Sequence, residues 1–323
     1  MGIKMKFYIA DAFTKEVFGG NPAGVVILGE GNDFPEDEVM RKTAAELRYS
    51  ETAFIKFLSE AAEDGTYDKF NVRYFTPAAE VDLCGHATIA SFSCLREAGL
   101  VKADTTVLNK TLAGDLAIVV DEDSVMMDMA APEYLGTIDD EAALRELYEV
   151  LGITYEDNIP VLEEQCLANG GDGSGLKPEI ISTGLPDIML PAATRDELAK
   201  MAPDFPALTE LTRRLDVVSV HAFTLDGGKH RGGSANGGRD DVTAYCRDFA
   251  PLYDIDEEAA TGTANGSLTY YLQKNELIPS SAECLFIQGE AMGRPSEIRS
   301  VVNGSAIKVG GSAAILAEGE INI

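Results

Sequence analysis

Histidine is scarce in this chain: three in 323 residues, at His86, His221 and His230. None sits in a His-Glu-x-x-His pattern or in a Cys/His cluster with ligand spacing, so no metal site is expected. Cysteine is sparse as well. Cys84, Cys94, Cys166, Cys246 and Cys284 are odd in number, widely spaced and without a Cys-x-x-Cys pair. A chain this long does not need disulfides, and a reducing cytoplasm is the expected location. Long hydrophobic runs are missing, since no stretch reaches the about 18 apolar residues of a membrane span. Lys4 and Lys6 lead straight into the alternating stretch Phe7-Tyr8-Ile9, not into the apolar centre of a secretion signal. Positive charge is in deficit, with 26 Lys and Arg against 54 Asp and Glu and a formal net charge of −28. Such a field repels nucleic acid phosphates and anionic membranes, so neither is an expected partner. It also repels anionic substrates at long range, so a bound carboxylate must be held by local donors such as helix N-termini.

What the chain does have is an internal echo. Arg73-Tyr74-Phe75-Thr76-Pro77 is followed by Glu80, then Cys84-Gly85-His86, then a helical pattern. Later, Arg247-Asp248-Phe249-Ala250-Pro251 is followed by Glu257-Glu258, then Thr261-Gly262-Thr263, then another. Gly20-Asn21-Pro22 parallels Gly184-Leu185-Pro186, and Ser50-Glu51-Thr52-Ala53-Phe54 parallels Ser219-Val220-His221-Ala222-Phe223. The spacing between matched residues only widens along the chain, as insertions in a duplicated domain produce. The period is too long for a solenoid and fits two domains of ordinary size. With 45% hydrophobic residues, the chain can build a core in each.

Hydrophobic periodicity predicts strands over 5–12, 22–29, 50–57, 67–75, 105–109, 115–120 and 124–129, and helices over 36–47 and 87–98. In the second half it predicts helices over 142–151, 195–201, 207–214 and 264–274. Strands are expected over 180–190, 217–225, 283–288, 297–302, 305–309 and 313–318. Residues 167–175 read as a flexible loop, and 227–239 as a Gly-rich hairpin tip carrying Lys229, His230, Arg231 and Arg239. The expected fold class is α+β: two pseudo-symmetric halves, each a curled, mostly antiparallel, barrel-like sheet around one small-residue helix. The expected boundaries are 1–130 and 131–311, with a final strand over about 312–323 crossing back to the first half.

The chain resembles the PhzF family of phenazine-biosynthesis-like proteins, within the diaminopimelate-epimerase-like fold. The matching residues include Asp11-Ala12-Phe13, Gly20-Asn21-Pro22-Ala23, Ser50 to Phe54, Arg73 to Pro77, Leu83 to Thr88, Arg247 to Pro251, Ala260 to Ala264, and Gln288-Gly289 with Met292 to Ser296. The resemblance spans nearly the whole chain in order. It implies an active site in the cleft between halves, a homodimer, and catalysis without metal or organic cofactor. It also implies an isomerase that shifts a double bond in a small carboxylic acid, such as a dihydro-hydroxyanthranilate-like compound.

Glu51 is the candidate general acid/base, a carboxyl inside an otherwise apolar strand, where it is costly without a role. The resemblance matches it to the family's catalytic glutamate. A carboxyl in apolar surroundings can take up and return a proton near neutrality. His86, at a helix start where the dipole opposes its cation, can orient a substrate or relay a proton. Gly85 and Gly262 let backbone approach a ligand, Thr263 offers a hydroxyl, and Asn21 and Ser50 complete the expected binding set.

Two positions depart from the family pattern. Glu258 stands where aspartate is usual, and Thr263 where serine is usual. Related epimerases use two thiols, but Cys84 has Thr261 as its counterpart, so a two-thiol racemase is disfavoured. The rival readings are an epimerase or racemase of a small amino or hydroxy acid using Glu51 with His86 or Glu258, and a non-catalytic binding protein whose contact surface is the basic tip over 227–239.

Overall fold

In the computed structural model, which describes residues 4–168, 176–228 and 241–323, the alternating stretch Lys4–Ala12 forms β1. The chain divides into two units. The first holds Met1–Asp128 and Gly310–Ile323, and the second Met129–Val309.

The first unit contains β1, β2 (Asn21–Ile27), α1 (Asp37–Leu47), β3 (Thr52–Phe57), β4 (Lys69–Phe75), β5 (Glu80–Val81), α2 (Gly85–Glu97), β6 (Thr105–Thr111), β7 (Gly114–Val120) and β8 (Val125–Asp128). The second contains β9 (Glu133–Thr137), α3 (Glu141–Val150), α4 (Tyr155–Ala168), β10 (Glu179–Ser182), β11 (Pro186–Pro191), α5 (Arg195–Lys200), α6 (Phe205–Leu215), β12 (Ser219–Thr224), β13 (Ala244–Ala250), β14 (Ile255–Glu258), α7 (Gly262–Lys274), β15 (Ser281–Gln288) and β16 (Ser296–Asn303). The strand β17 (Ala306–Gly311) carries the chain back to the first unit, where β18 (Ala313–Asn322) pairs antiparallel with β1.

The two units repeat one pairing scheme. In the first, β1–β2 is antiparallel, β2–β3 parallel, β3–β4 and β4–β5 antiparallel, β4–β6 parallel and β6–β7 antiparallel. In the second, β10–β11, β11–β12, β12–β13, β13–β14, β13–β15 and β15–β16 follow the same order of directions. The fold is mixed, with large curled sheets and few helices. Helix α2 packs against β1, β2, β3, β7, β8 and β18. Every residue from His86 to Leu95 is buried, so α2 has apolar or small side chains all round rather than one greasy stripe. Ile89, Phe92 and Leu95 supply the large groups, each stabilising by roughly 1.5–3 kcal/mol. Gly99, at φ +71°, ends the helix. Helix α7 takes the same place in the second unit, against β10, β11 and β16.

The repeated arginine and acid have a structural cause. Arg73 forks onto Glu80 at 2.7 and 2.6 Å, and Arg247 onto Glu257 at 2.8 Å twice. Each bidentate pair ties a longer strand, β4 or β13, to the short strand that returns along it, β5 or β14. The second pair is the more deeply buried, and Arg247 also donates to the carbonyls of Leu198 and Met201. Breaking it would strand a charge.

Three sequence expectations need correction. Glu51 lies just before β3, not inside a strand; its carbonyl accepts from Gly24 N–H, and the ladder begins at Thr52. The match of Glu51 with Val220 is off by one. Gly24 pairs with Thr52 and Ile188 with Val220, while Thr52 faces Phe75 and Val220 faces Phe249. Thr52 therefore corresponds to Val220, and Glu51 to Ser219. A slip of one residue moves a side chain to the other face of a sheet, so the difference matters. Thirdly, α4 extends to Ala168 through residues the hydrophobic pattern left unassigned, Pro160 among them. The rest of the expected loop, 169–175, lies outside the described residues. So do Lys229, His230, Arg231 and Arg239 of the expected tip. Among the described residues no helix is long and apolar enough to cross a membrane.

Candidate active site

In the first unit the site forms where β3 begins beside the start of α2. Glu51 Oε2 lies 3.2 Å from His86 Nε2. Ser50 Oγ stands 3.3 Å from the same nitrogen. Cys84 Sγ is 3.4 Å from His86 Nδ1 and 3.9 Å from Nε2, so it lies against the face of the ring. The ring edge at Nε2 faces Ser50 and Glu51. Ser50 and Cys84 both touch the imidazole, so Cys84 is a contact of His86 rather than mere filling.

His86 is 4% exposed and Glu51 13% at the side chain. Burial pushes the His86 pKa below 6.5, and the Glu51 charge opposes that shift without cancelling it. Glu51 Oε2 is buried and, among the described residues, has no hydrogen-bond partner. The short contact with His86 is close in distance but not aligned as a hydrogen bond. A buried carboxylate oxygen left this way is costly, and active sites are where such costs concentrate.

Cys84 occupies the N-cap of α2 in extended conformation and makes no side-chain cap to the helix. Gly85 is the first helical residue and His86 the second. An N-terminus without a side-chain cap keeps its positive dipole end available to an anion. Asn21 is buried at the start of β2, three residues ahead of the Gly24–Thr52 pairing beside Glu51. Glu51, Cys84 and His86 offer ligand atoms within 4.8 Å of one another, a spacing a divalent ion could bridge. The helix dipole at this point favours an anion instead.

The second unit carries a different polar set. Glu258 ends β14, and Thr261 is the N-cap of α7, again without a side-chain cap to the helix. The Thr261 hydroxyl turns the other way, to Asp248 Oδ2 at 2.8 Å and Glu258 Oε2 at 2.9 Å. Gly262 begins α7, and the Thr263 carbonyl accepts from Thr183 Oγ1 at 2.9 Å. Gln288 anchors the segment by donating to the Glu258 carbonyl at 2.8 Å and accepting from Thr261 N–H at 3.2 Å.

Sequence reasoning missed Asp187, Ser219, His221 and Asp248. Ser219 Oγ meets Asp187 Oδ1 at 2.9 Å and Asp248 Oδ1 at 2.8 Å, and His221 Nδ1 lies 3.1 Å from Asp248 Oδ1. All four are at most 1% exposed. The signal was present in two acids interrupting apolar strand patterns, Pro186–Pro191 and Ala244–Ala250. The register places them together. Asp187 pairs with Ser219, His221 with Asp248, and Asp248 with Glu258. These side chains share one face of the sheet, while Ile188, Val220, Ala222 and Phe249 fill the apolar core on the other.

Known proteins similar to this chain were found at three levels. Residues 10–319 match the family model described as "Phenazine biosynthesis-like protein". An uncharacterized isomerase of Deinococcus radiodurans is 35% identical, over 97% of this chain and 96% of its own. A human phenazine biosynthesis-like domain-containing protein is 31% identical, over 83% of each chain. The crystal structure of a Bacillus anthracis phenazine biosynthesis protein of the PhzF family superposes with a TM-score of 0.80 at 24% identity, covering 99% of this chain and 100% of the other. A hydroxyproline epimerase from Agrobacterium vitis shares the fold at a TM-score of 0.60 and 10% identity, over 100% and 94%.

Proposed function

The chain belongs to the phenazine biosynthesis-like protein family, and on that premise we propose that it is a cofactor-independent isomerase moving a carbon-bound proton on a small unsaturated carboxylic acid. Glu51 is the base. It takes the proton from a C–H bond next to a double bond, and the electron pair of that bond shifts into the adjacent π-system. The double bond migrates, and a proton returns to the carbon at its far end, so the substrate changes in arrangement and not in composition. His86 steers Glu51 and the substrate, Gly85 and the start of α2 receive the substrate carboxylate, and Asn21 and Ser50 contribute polar contacts. Glu258 is the second acid/base group, with Gly262 and Thr263 beside it at the start of α7.

The observation that supports this most is the buried Glu51 oxygen, unpartnered among the described residues and 3.2 Å from the imidazole. A neutral, buried histidine beside a carboxylate is a pair able to accept a proton and hand it back without a charged species reaching water. Its test is incubation with trans-2,3-dihydro-3-hydroxyanthranilate in deuterated water, alongside Glu51→Gln. Wild type is expected to shift the double bond and take up deuterium at the new carbon position. The variant should lose roughly 10²–10⁴-fold in turnover. Full turnover by Glu51→Gln would overturn the assignment.

A further inference from the structure

Thr88 settles the direction of a buried chain of hydrogen bonds in the first unit. Its hydroxyl lies 2.7 Å from the Cys84 carbonyl oxygen and 2.7 Å from the Tyr74 hydroxyl. A carbonyl only accepts, so the one Thr88 proton goes to Cys84, and Tyr74 must donate to Thr88. The Tyr74 oxygen in turn accepts from Asn109 Nδ2 at 3.1 Å. A flipped Asn109 amide would aim its oxygen at a phenol whose proton is already spent, so this orientation is the one that fits. The chain therefore runs one way, from Asn109 on β6 to Tyr74 on β4, then Thr88 on α2, and last the carbonyl of Cys84 at the N-cap. Asn109, Tyr74 and Thr88 are all fully buried.

Where the chain ends decides what it can do. The Cys84 carbonyl also accepts from Thr88 N–H at 3.0 Å, the first bond of the helix. Two donors on one carbonyl polarise its peptide unit, and the N–H of that unit belongs to Gly85. The upstream bonds add to the effect, because each hydroxyl in a dry chain donates more strongly for the bond it accepts. The Cys84 side chain does not cap the helix. The turn is held through the Cys84 carbonyl instead, which leaves the N–H side to an anion.

We propose that Tyr74 and Thr88 are positioning residues for the carboxylate seat: they fix the Cys84–Gly85 peptide and strengthen the Gly85 N–H as a donor to the substrate carboxylate. This rests on the proposed function for what Gly85 receives, but not for how its peptide is held. Tyr74 keeps its proton for the task, since burial drives its pKa above the usual phenol range.

The second unit builds the same joint from a different residue. Asn265 follows its N-cap Thr261 at the spacing by which Thr88 follows Cys84. Asn265 Nδ2 donates to the Thr261 carbonyl at 2.9 Å, and the Asn265 backbone N–H reaches the same oxygen at 3.2 Å. The peptide polarised there is the Thr261–Gly262 unit. Gln288 Oε1, 2.9 Å from Asn265 Nδ2, steadies the clamp by accepting from the same amide. Threonine and asparagine share little beyond a short side chain with a donor, so the joint recurs where the residue does not.

Thr88→Val keeps the shape and removes the hydroxyl, Tyr74→Phe removes the donor behind it, and Thr88→Ser restores a hydroxyl. The Gly85 amide signal in the NMR spectrum of the ¹⁵N-labelled protein reads the joint without substrate. It should move in Thr88→Val and in Tyr74→Phe and return in Thr88→Ser. Ser91→Ala should leave it in place, since the Ser91 hydroxyl is buried on the same helix without a partner among the described residues. With trans-2,3-dihydro-3-hydroxyanthranilate, KM should rise about 2–5-fold in Thr88→Val and kcat change less, as expected for a bond to a charged group weakened by roughly 30%. A Gly85 signal unmoved by both Thr88→Val and Tyr74→Phe, or moved as far by Ser91→Ala, overturns the proposal. So does a fall in kcat at unchanged KM. In unsubstituted protein the Thr88 hydroxyl proton should exchange slowly enough with water to be seen, and its absence overturns the chain without needing a variant to fold. No turnover by wild type, with the Gly85 signal moving as stated, would sink the proposed reaction while leaving this joint standing.

Discussion

Replacing Asp187 by Asn should change the pH dependence of stability by an amount set by one proton. In the folded protein Asp187 is buried, shares the Ser219 hydroxyl with Asp248, and has its pKa raised well above the ordinary value. In the unfolded chain it ionises at about pH 3.9. Between those two values the folded state binds a proton that the unfolded state lacks. Stability from this group is therefore intact below about pH 4 and is lost as pH rises towards the folded pKa. The loss is about 1.4 kcal/mol per pH unit. From pH 5 to pH 7 the ceiling is about 2.7 kcal/mol, reached when the folded carboxyl keeps its proton throughout. Asparagine copies the shape of a protonated carboxyl and offers Ser219 an N–H, but it does not titrate. Urea unfolding of wild type and Asp187→Asn at both pH values, taken as a difference of differences, cancels the titrating groups that do not interact with Asp187. The variant should gain on wild type by up to about 2.7 kcal/mol between pH 5 and pH 7. A gap that does not move with pH would show that Asp187 is ionised in the folded protein.

Two further outcomes follow from burial and backbone geometry. His86 should titrate, by the NMR shift of its ring protons, with a midpoint below 6.5, because burial outweighs the pull of Glu51; a midpoint above 6.5 would refute that balance. Gly289 sits at φ +80°, and a Cβ there would stand 2.4 Å from the Arg294 carbonyl oxygen and 2.7 Å from that of Ala259. Gly289→Ala should therefore destabilise by more than about 1–3 kcal/mol in thermal or urea unfolding, since both strain and a backbone clash act; a change under about 0.5 kcal/mol would contradict the local geometry.

Much of the fold could be read before any coordinates because the motif residues also do structural work. Arg73 with Glu80 and Arg247 with Glu257 brace equivalent strands, so the echo in the sequence marks a brace in the fold. Helices α2 and α7 were legible from runs of small and apolar residues ending at Gly99 and near Lys274. Helix α4 was not, because its sequence lacks a clear apolar stripe and includes Pro160, which local propensity counts against a helix. At the site, Ser50, Glu51 and His86 are brought together. The stripe from Asp187 to Glu258 was hidden for another reason. Its members come from β11, β12, β13 and β14, and only the register, which no single-strand pattern reveals, sets them on one face.

The corrected register gives this chain a control experiment of its own. Two copies of one strand scheme are joined in a single polypeptide. Where they agree, as at Arg73 and Arg247, Phe75 and Phe249, Pro77 and Pro251, or Gly85 and Gly262, the scaffold accounts for the residue. Where they part, as at Glu51 and Ser219, Tyr74 and Asp248, Val81 and Glu258, or His86 and Thr263, it does not. The shared strand scheme does not dictate the residue in such a place, and its local partners or its task must. Transplanting a residue from one half to its twin then asks a cleaner question than alanine does, because the incoming side chain has already been accepted by the same frame.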